Sequence, residues 1–153
     1  MTPPQSESGR ILRIIDANFN RISEGLRLLE EIARMLLDDA ALTERLKSLR
    51  HDIIRGDAAF QTQLLQARDS AGDVGMDIQV SGETREKELP IVLVANAKRV
   101  QESLRVLEEL AKLPGLPPEF DSEKFKHARF QLYTVEKELM AKLLNEDGRT
   151  PDE

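Results

Sequence analysis

The sequence predicts an all-α domain, a pseudo-two-fold four-helix bundle made of two repeated helical hairpins. Three observations carry this. The composition is 40% hydrophobic and 33% charged but only 4% aromatic, with no Trp. The core is therefore Leu, Ile, Val and Ala among many Glu, Arg and Lys, a residue set that favours helix. Apolar residues recur at helical spacing in four successive stretches. One of those stretches also occurs twice. Residues 17–34 read ANFNRISEGLRLLEEIAR and residues 95–112 read ANAKRVQESLRVLEELAK, identical at ten of 18 positions. Shared helical composition gives a few matches by chance, not ten in register.

At 153 residues the chain is one domain with a substantial core. Residues 1–9 are a polar, Pro-containing lead expected to be disordered. The first helix spans residues 10–37, with Ile11, Ile14, Ile15, Ile22, Leu29, Ile32, Ala33 and Leu36 at helical spacing. Asp38-Asp39 supplies an N-cap for a second helix over residues 40–67, with Gly56 inside it. Residues 68–87 lose the period and carry Gly72, Gly75 and Gly82, so they read as a long loop of the kind that is usually functional or disordered. Pro90 suits the first turn of a third helix ending near Leu113, where Pro114, Gly115, Pro117 and Pro118 stop it. Asp121 or Ser122 then caps a fourth helix to about Leu144, and residues 145–153 form a disordered tail. The expected domain is hairpin 10–67, loop 68–87 and hairpin 88–144. Lys126-x-x-Arg129 echoes Lys47-x-x-Arg50 in the second arms, one residue out of the first offset.

On a helical wheel at about 100° per residue, Asn18 falls within the apolar stripe of the first helix, Arg21 near its edge, and Gly25 between them. Asn96, Arg99 and Ser103 repeat the arrangement. Unpaired polar groups facing a core cost several kcal/mol, so each needs a partner. Two readings remain open. In one, Arg21 pairs with a Glu on a facing helix and Asn18 fixes register. In the other, the two Arg residues line a cleft between the hairpins that holds an anion. Glu24, Arg27, Glu30 and Glu31, with Glu102, Arg105, Glu108 and Glu109, are expected on the polar flank as solvated pairs. Glu24 and Glu102 adjoin the Asn/Arg stripe and could reach Mg²⁺ through water.

His51 shares a helix with Lys47 and Arg50, which makes it a candidate catalyst beside an anion; His127 has no such neighbours. In the loop, Arg68, Asp69, Asp73, Gly72 and Gly75 combine charge with backbone that can approach a ligand and offer N–H groups. Arg85 closes the same loop.

The net charge of −6 argues against a nucleic-acid partner or an anionic membrane surface. With no Cys there is no disulfide framework and no thiolate chemistry. Neither a signal peptide nor an apolar run of about 20 residues is present, so the expected location is cytoplasmic. Phosphate-binding glycine motifs, Glu-x-x-His pairs and His/Cys clusters are absent. The clustered Glu-x-x-Glu carboxylates of helical nucleotide pyrophosphohydrolases are not seen either.

Four motifs occur in one order. They are Asp16-Ala17-Asn18-x-x-Arg21-x-x-Glu24-Gly25-Leu26-Arg27, then Leu49-Arg50-His51, then Arg68-Asp69-x-x-Gly72-Asp73-Val74-Gly75, then Ala95-Asn96-x-x-Arg99-x-x-Glu102-x-Leu104-Arg105. The series resembles the helical domain found at the N-terminus of some bacterial thiamine-phosphate synthases and as a stand-alone protein. That family is described as a monofunctional hydroxymethylpyrimidine-phosphate kinase. The resemblance covers residues 10–112 and, loosely, the fourth helix. It implies ATP-dependent phosphorylation of the pyrimidine monophosphate to its diphosphate, with ATP and Mg²⁺ as cofactors. It implies that Arg21, Arg50 and Arg99, with Arg68, hold phosphates, and that Asn18 and Asn96 hydrogen-bond the pyrimidine or a phosphate oxygen. Asp73 would hold Mg²⁺ or orient the attacking oxygen, with His51 as a second catalytic candidate. With no barrel after Glu153, the synthase is expected on a separate chain that this protein could contact. The alternative is a non-catalytic helical module that partners or regulates that synthase. Self-association into a homo-oligomer stays open.

Overall fold

The computed structural model describes residues 6–54, 56–81 and 86–147. Among them every regular element is helical: α1 (Glu7–Glu31), a π-helical turn (Ile32–Leu36), α2 (Ala40–Ile54), α3 (Ala58–Ala67), α4 (Leu89–Leu110) and α5 (Ser122–Asp147). α1 packs on α2, α3 and α4, α4 packs on α5, and α5 closes the bundle against α2. The expected helical bundle is thus present, built among the described residues of five helices, with α2 and α3 together in the place of the second arm of the first hairpin.

The expected single helix over residues 40–67 is two. Gly56 weakens the helix, and Asp57 starts a new one by accepting a hydrogen bond from the Ala59 N–H at 3.2 Å. Other boundaries shift less. α1 begins at Glu7 because Ser6 caps it, accepting from the Gly9 N–H, so the lead ends earlier than expected. α4 stops at Leu110, and α5 continues to Asp147, into the expected tail. Residues 1–5 and 148–153, with Arg85, lie outside the described residues. The remaining caps follow the sequence. Asp39 accepts from the Leu42 N–H at 2.9 Å, Asp121 accepts from the Glu123 N–H, and Pro90 sits in the first turn of α4.

The end of α1 was not legible. Leu37 N–H bonds the carbonyl of Ile32, five residues back, and Asp38 then takes a left-handed φ of 49°. A wider turn changes the phase of the side chains that follow. Leu36 accordingly stands 55% exposed instead of joining the core, and Ile14 also leaves the expected stripe at 45%. The core face of α1 is Ile15, Ile22, Leu26 and Leu29, continued by Ile32 of the π turn, and it shares one core with Leu93, Ala97, Val100, Leu104 and Leu107 of α4 and Leu132, Val135 and Leu139 of α5. At one end Phe19, Phe60, Phe120 and Phe125 form an edge-to-face cluster with centroids 4.9–6.1 Å apart, joining α1, α3 and α5.

The repeat extends to individual contacts. Asn18 Nδ2 donates to Ile14 O and Asn96 Nδ2 to Val92 O, each at 2.8 Å. Arg50 meets Glu30 across the first hairpin at 3.5 Å, and Arg129 meets Glu108 across the second at 3.0 Å. Arg27 and Arg105 approach the same two carboxylates from their own helices, at 3.6 and 3.5 Å. Glu30 and Glu108 are therefore buried, not solvated as their place on the polar flank suggested. Each is drawn inward by a guanidinium of the facing arm.

Candidate functional site

The buried Arg–Glu pairing that one of the two readings gave to Arg21 exists, but Arg50 and Arg129 form it. Arg50 has a side chain only 19% exposed, held by Glu30. Arg21 and Arg99 are exposed, and among the described residues neither makes an ion pair or hydrogen bond. Both line one groove between α1 and α4, with a volume of about 520 Å³. Its walls carry Asn18 and Arg21 from α1, and Lys98, Arg99, Glu102 and Ser103 from α4. Asn18 is buried, and the bond to Ile14 O occupies one of its two amide N–H groups, which leaves its amide oxygen as an acceptor. Asn96 is half-buried in the equivalent posture on α4 but does not line the groove.

The close approach of the two helices depends on Gly25. A Cβ there would meet Val100 Cγ2 at 2.4 Å and the Asn96 carbonyl oxygen at 3.3 Å.

A second cavity of about 200 Å³ lies on another flank of α1, where Arg68, Asp69, Ser70 and Asp73 come against it. Arg68 clamps Asp16 with two bonds, Nε to Oδ2 at 2.7 Å and Nη2 to Oδ1 at 2.8 Å. This bidentate bond raises the Arg68 pKa above its ordinary value. Arg13 adds a bond to the Asp69 carbonyl at 3.1 Å. Asn20, Ser70 and Asp73 complete the lining. Gly72 and Gly75 do not offer their N–H groups outward. Gly72 N–H is taken by Asp69 Oδ1 at 2.9 Å and Gly75 N–H by Asp73 Oδ1 at 2.8 Å.

Asn20 borders the loop cavity and Arg21 the groove, so consecutive residues of α1 serve both. The structure thus gathers Asn18, Arg21 and Arg99 in one place and Arg68 and Asp73 in another. His51 is exposed near the end of α2 and lines neither cavity. A third cavity of about 510 Å³, between α2 and α5, holds none of the expected site residues, and its cation Arg45 is paired with Glu138. Lys98, Arg13, Asp16 and Asn20 were not singled out as ligands from the sequence. For Lys98 a signal existed, because it replaces the Asn20 of the first copy at a matched position of the repeat.

The sequence profile of the ThiD2 family matches residues 13–138, a span that contains both cavities. The chain belongs to the ThiD2 family. Similar curated proteins include thiamine-phosphate synthases from three bacteria. That of Rhodopirellula baltica is 41% identical over 149 residues, covering 95% of this chain and 38% of the relative. That of Nostoc punctiforme is 38% identical over 147 residues, covering 92% and 39%. That of Thermosynechococcus vestitus is 40% identical over 137 residues, covering 89% and 37%. This ThiD2-family chain therefore spans about two fifths of the length of the curated relatives it matches. No solved structure matches it. Among the described residues no helix is long and apolar enough to cross a membrane.

Proposed function

We propose that this chain is an ATP-dependent kinase of thiamine biosynthesis that converts hydroxymethylpyrimidine phosphate to its diphosphate. The observation that carries the reading is the α1–α4 groove. Arg21, Lys98 and Arg99 line it without a hydrogen-bond or ion-pair partner among the described residues, in a chain whose net charge is −6. Both reactants of such a transfer are phosphorylated, and catalysis of phosphoryl transfer is mostly positioning and charge stabilisation. The curated relatives named thiamine-phosphate synthase support the pathway.

In the proposed step a phosphate oxygen of the acceptor forms a bond to the γ-phosphorus of ATP. The bond from that phosphorus to the β–γ bridging oxygen breaks, and ADP leaves. Arg21 and Arg99 hold phosphate oxygens through paired N–H groups, a geometry Lys cannot reproduce. The Asn18 amide oxygen accepts a donor of the pyrimidine. Arg68 holds the loop that carries Asp73 against α1.

Among the described residues no group of three His, Cys, Asp or Glu is arranged to hold a metal. Single carboxylates such as Asp73 or Glu102 fit Mg²⁺, which keeps most of its water and binds through one or two carboxylates plus substrate phosphates. When bound with the nucleotide, Mg²⁺ supplies neutralisation of the phosphate charge. Arg50 and His51 have no role in this step, since Arg50 is committed to Glu30 and His51 stands apart.

The test is direct. Purified protein with Mg-ATP and hydroxymethylpyrimidine phosphate should release ADP and form the diphosphate, read by coupling to a thiamine-phosphate synthase. The free alcohol should be a poor substrate, because cations placed for an existing phosphate would be left unpaired. No turnover even with the synthase present would sink the kinase reading. The alternative would then hold: a non-catalytic module that partners a synthase, which the relatives' longer chains favour.

A further inference from the structure

We infer that the α1–α4 groove is a polyphosphate subsite with a direction, in which Lys98 selects a chain of phosphates over a single phosphate. The inference deepens the reading of the groove as the phosphate site.

Arg21 and Arg99 occupy matched positions of the repeat and line the groove from opposite walls. Two guanidinium forks suffice for the oxygens of one phosphate. The third cation has no symmetric counterpart. At the position equivalent to Lys98, α1 carries Asn20, which borders the loop cavity instead. The groove therefore has two cations on its α4 wall and one on its α1 wall, against the single carboxylate of Glu102. Lys98 precedes Arg99 by one helical residue, a rotation of about 100°, so its ammonium adds charge to one side of the Arg pair.

Among the described residues Lys98 makes no ion pair or hydrogen bond, and it is exposed. No contact among the described residues ties it to the packing of the bundle. The groove volume of about 520 Å³ falls in the range of sites for small organic ligands, roughly 300–1,000 Å³, and exceeds what one phosphate fills. A di- or triphosphate offers further charged oxygens beyond those the arginines hold, and a compact ammonium suits them as a point charge.

The experiment uses sodium tripolyphosphate, pyrophosphate and orthophosphate as probes, without Mg²⁺, by calorimetry and thermal shift. Wild-type protein should bind tripolyphosphate about tenfold or more tightly than orthophosphate, given the strength of charge-assisted hydrogen bonds. Lys98→Asn, which installs the residue of the first copy, should lower tripolyphosphate affinity about tenfold and change orthophosphate affinity by less than about twofold. Lys47→Asn removes an exposed lysine of α2 outside the groove and makes the same change in net charge, so it should leave both affinities unchanged. Absence of tripolyphosphate binding, equal affinity for all three probes, or equal losses in the two lysine variants would each overturn the inference. Polyphosphate binding that depends on Lys98 in a protein without kinase turnover would uphold this subsite while the kinase reading falls. Full turnover with no effect of Lys98→Asn on polyphosphate binding would do the reverse.

Discussion

Gly25 of α1 lies so close to Val100 of α4 that an added methyl would stand 2.4 Å from Val100 Cγ2. The Asn96 carbonyl, 3.3 Å away, belongs to the α4 backbone and cannot swing aside as a side chain could. Gly25→Ala should therefore destabilise the protein, although Ala gains up to about 1 kcal/mol of helix propensity over Gly. Overpacking of this kind costs roughly 1–3 kcal/mol. A urea melt should show the loss, and Val100→Ala in the same chain should recover part of it. A more stable Gly25→Ala protein would mean that the helices are not in this contact.

Removing Arg50 should harm stability more than removing Arg21. Arg50→Met leaves Glu30, 4% exposed, with the exposed Arg27 as its remaining ion-pair partner among the described residues. Breaking a buried ion pair from one side costs about 3 kcal/mol or more. The double variant Arg50→Met/Glu30→Leu should recover most of that, because it removes the stranded charge. Thermal melts followed by circular dichroism read both.

Arg21→Ala and Arg99→Ala should behave the opposite way. Each should lower kcat/KM for the proposed kinase by an order of magnitude or more, since hydrogen bonds to charged groups contribute about 1.5–3 kcal/mol. Both should keep wild-type circular dichroism and melting temperature, because neither side chain has a protein partner among the described residues. Unfolding of both variants would assign these arginines to structure instead.

The architecture and much of its punctuation were legible in the residues. The repeat gave the two hairpins, and Asp39, Pro90 and Asp121 marked helix starts for local reasons of backbone bonding. Features set between helices were hidden. Glu30 and Glu108 sit on the polar flank of their own helices, and their burial depends on where an arginine of the next helix falls. Asn18, Arg21 and Arg99 were legible as departures from the apolar stripe, yet the wheel could not say whether a carboxylate or a cavity awaited them. The Arg68–Asp16 clamp joins residues 52 positions apart, a distance no local pattern encodes.

That clamp yields a further expectation. Arg68→Lys keeps the charge but loses the two-pronged bond to Asp16. Amide exchange in residues 69–81 should quicken, while exchange in the core faces of α1 and α4 stays slow. Unchanged loop exchange would show that contacts other than the clamp, Arg13 to the Asp69 carbonyl among them, are enough to hold the loop.

Acid should weaken the start of α2. The Leu42 N–H, then the Lys142 ammonium, hold the Asp39 carboxyl below its ordinary pKa. A lowered folded-state pKa stabilises the native protein fully above the unfolded-state value, and that contribution disappears as pH falls through the folded-state value. Melting temperature should therefore drop on acidification through and below the usual carboxylate range, more steeply in wild type than in Asp39→Asn. Parallel curves for the two proteins would remove Asp39 as a source of the acid dependence.

The doubled hairpin has a consequence for how a lopsided molecule can be received. Two identical hairpins paired as separate chains would present every side chain twice, and a ligand without mirror halves could settle on their shared axis in either of two equivalent poses. Tethering both copies in a single polypeptide lifts that degeneracy. With Asn20 and Lys98 different, the two poses are no longer equivalent, and in the proposed kinase one orientation of the reacting ends would be favoured over its reverse.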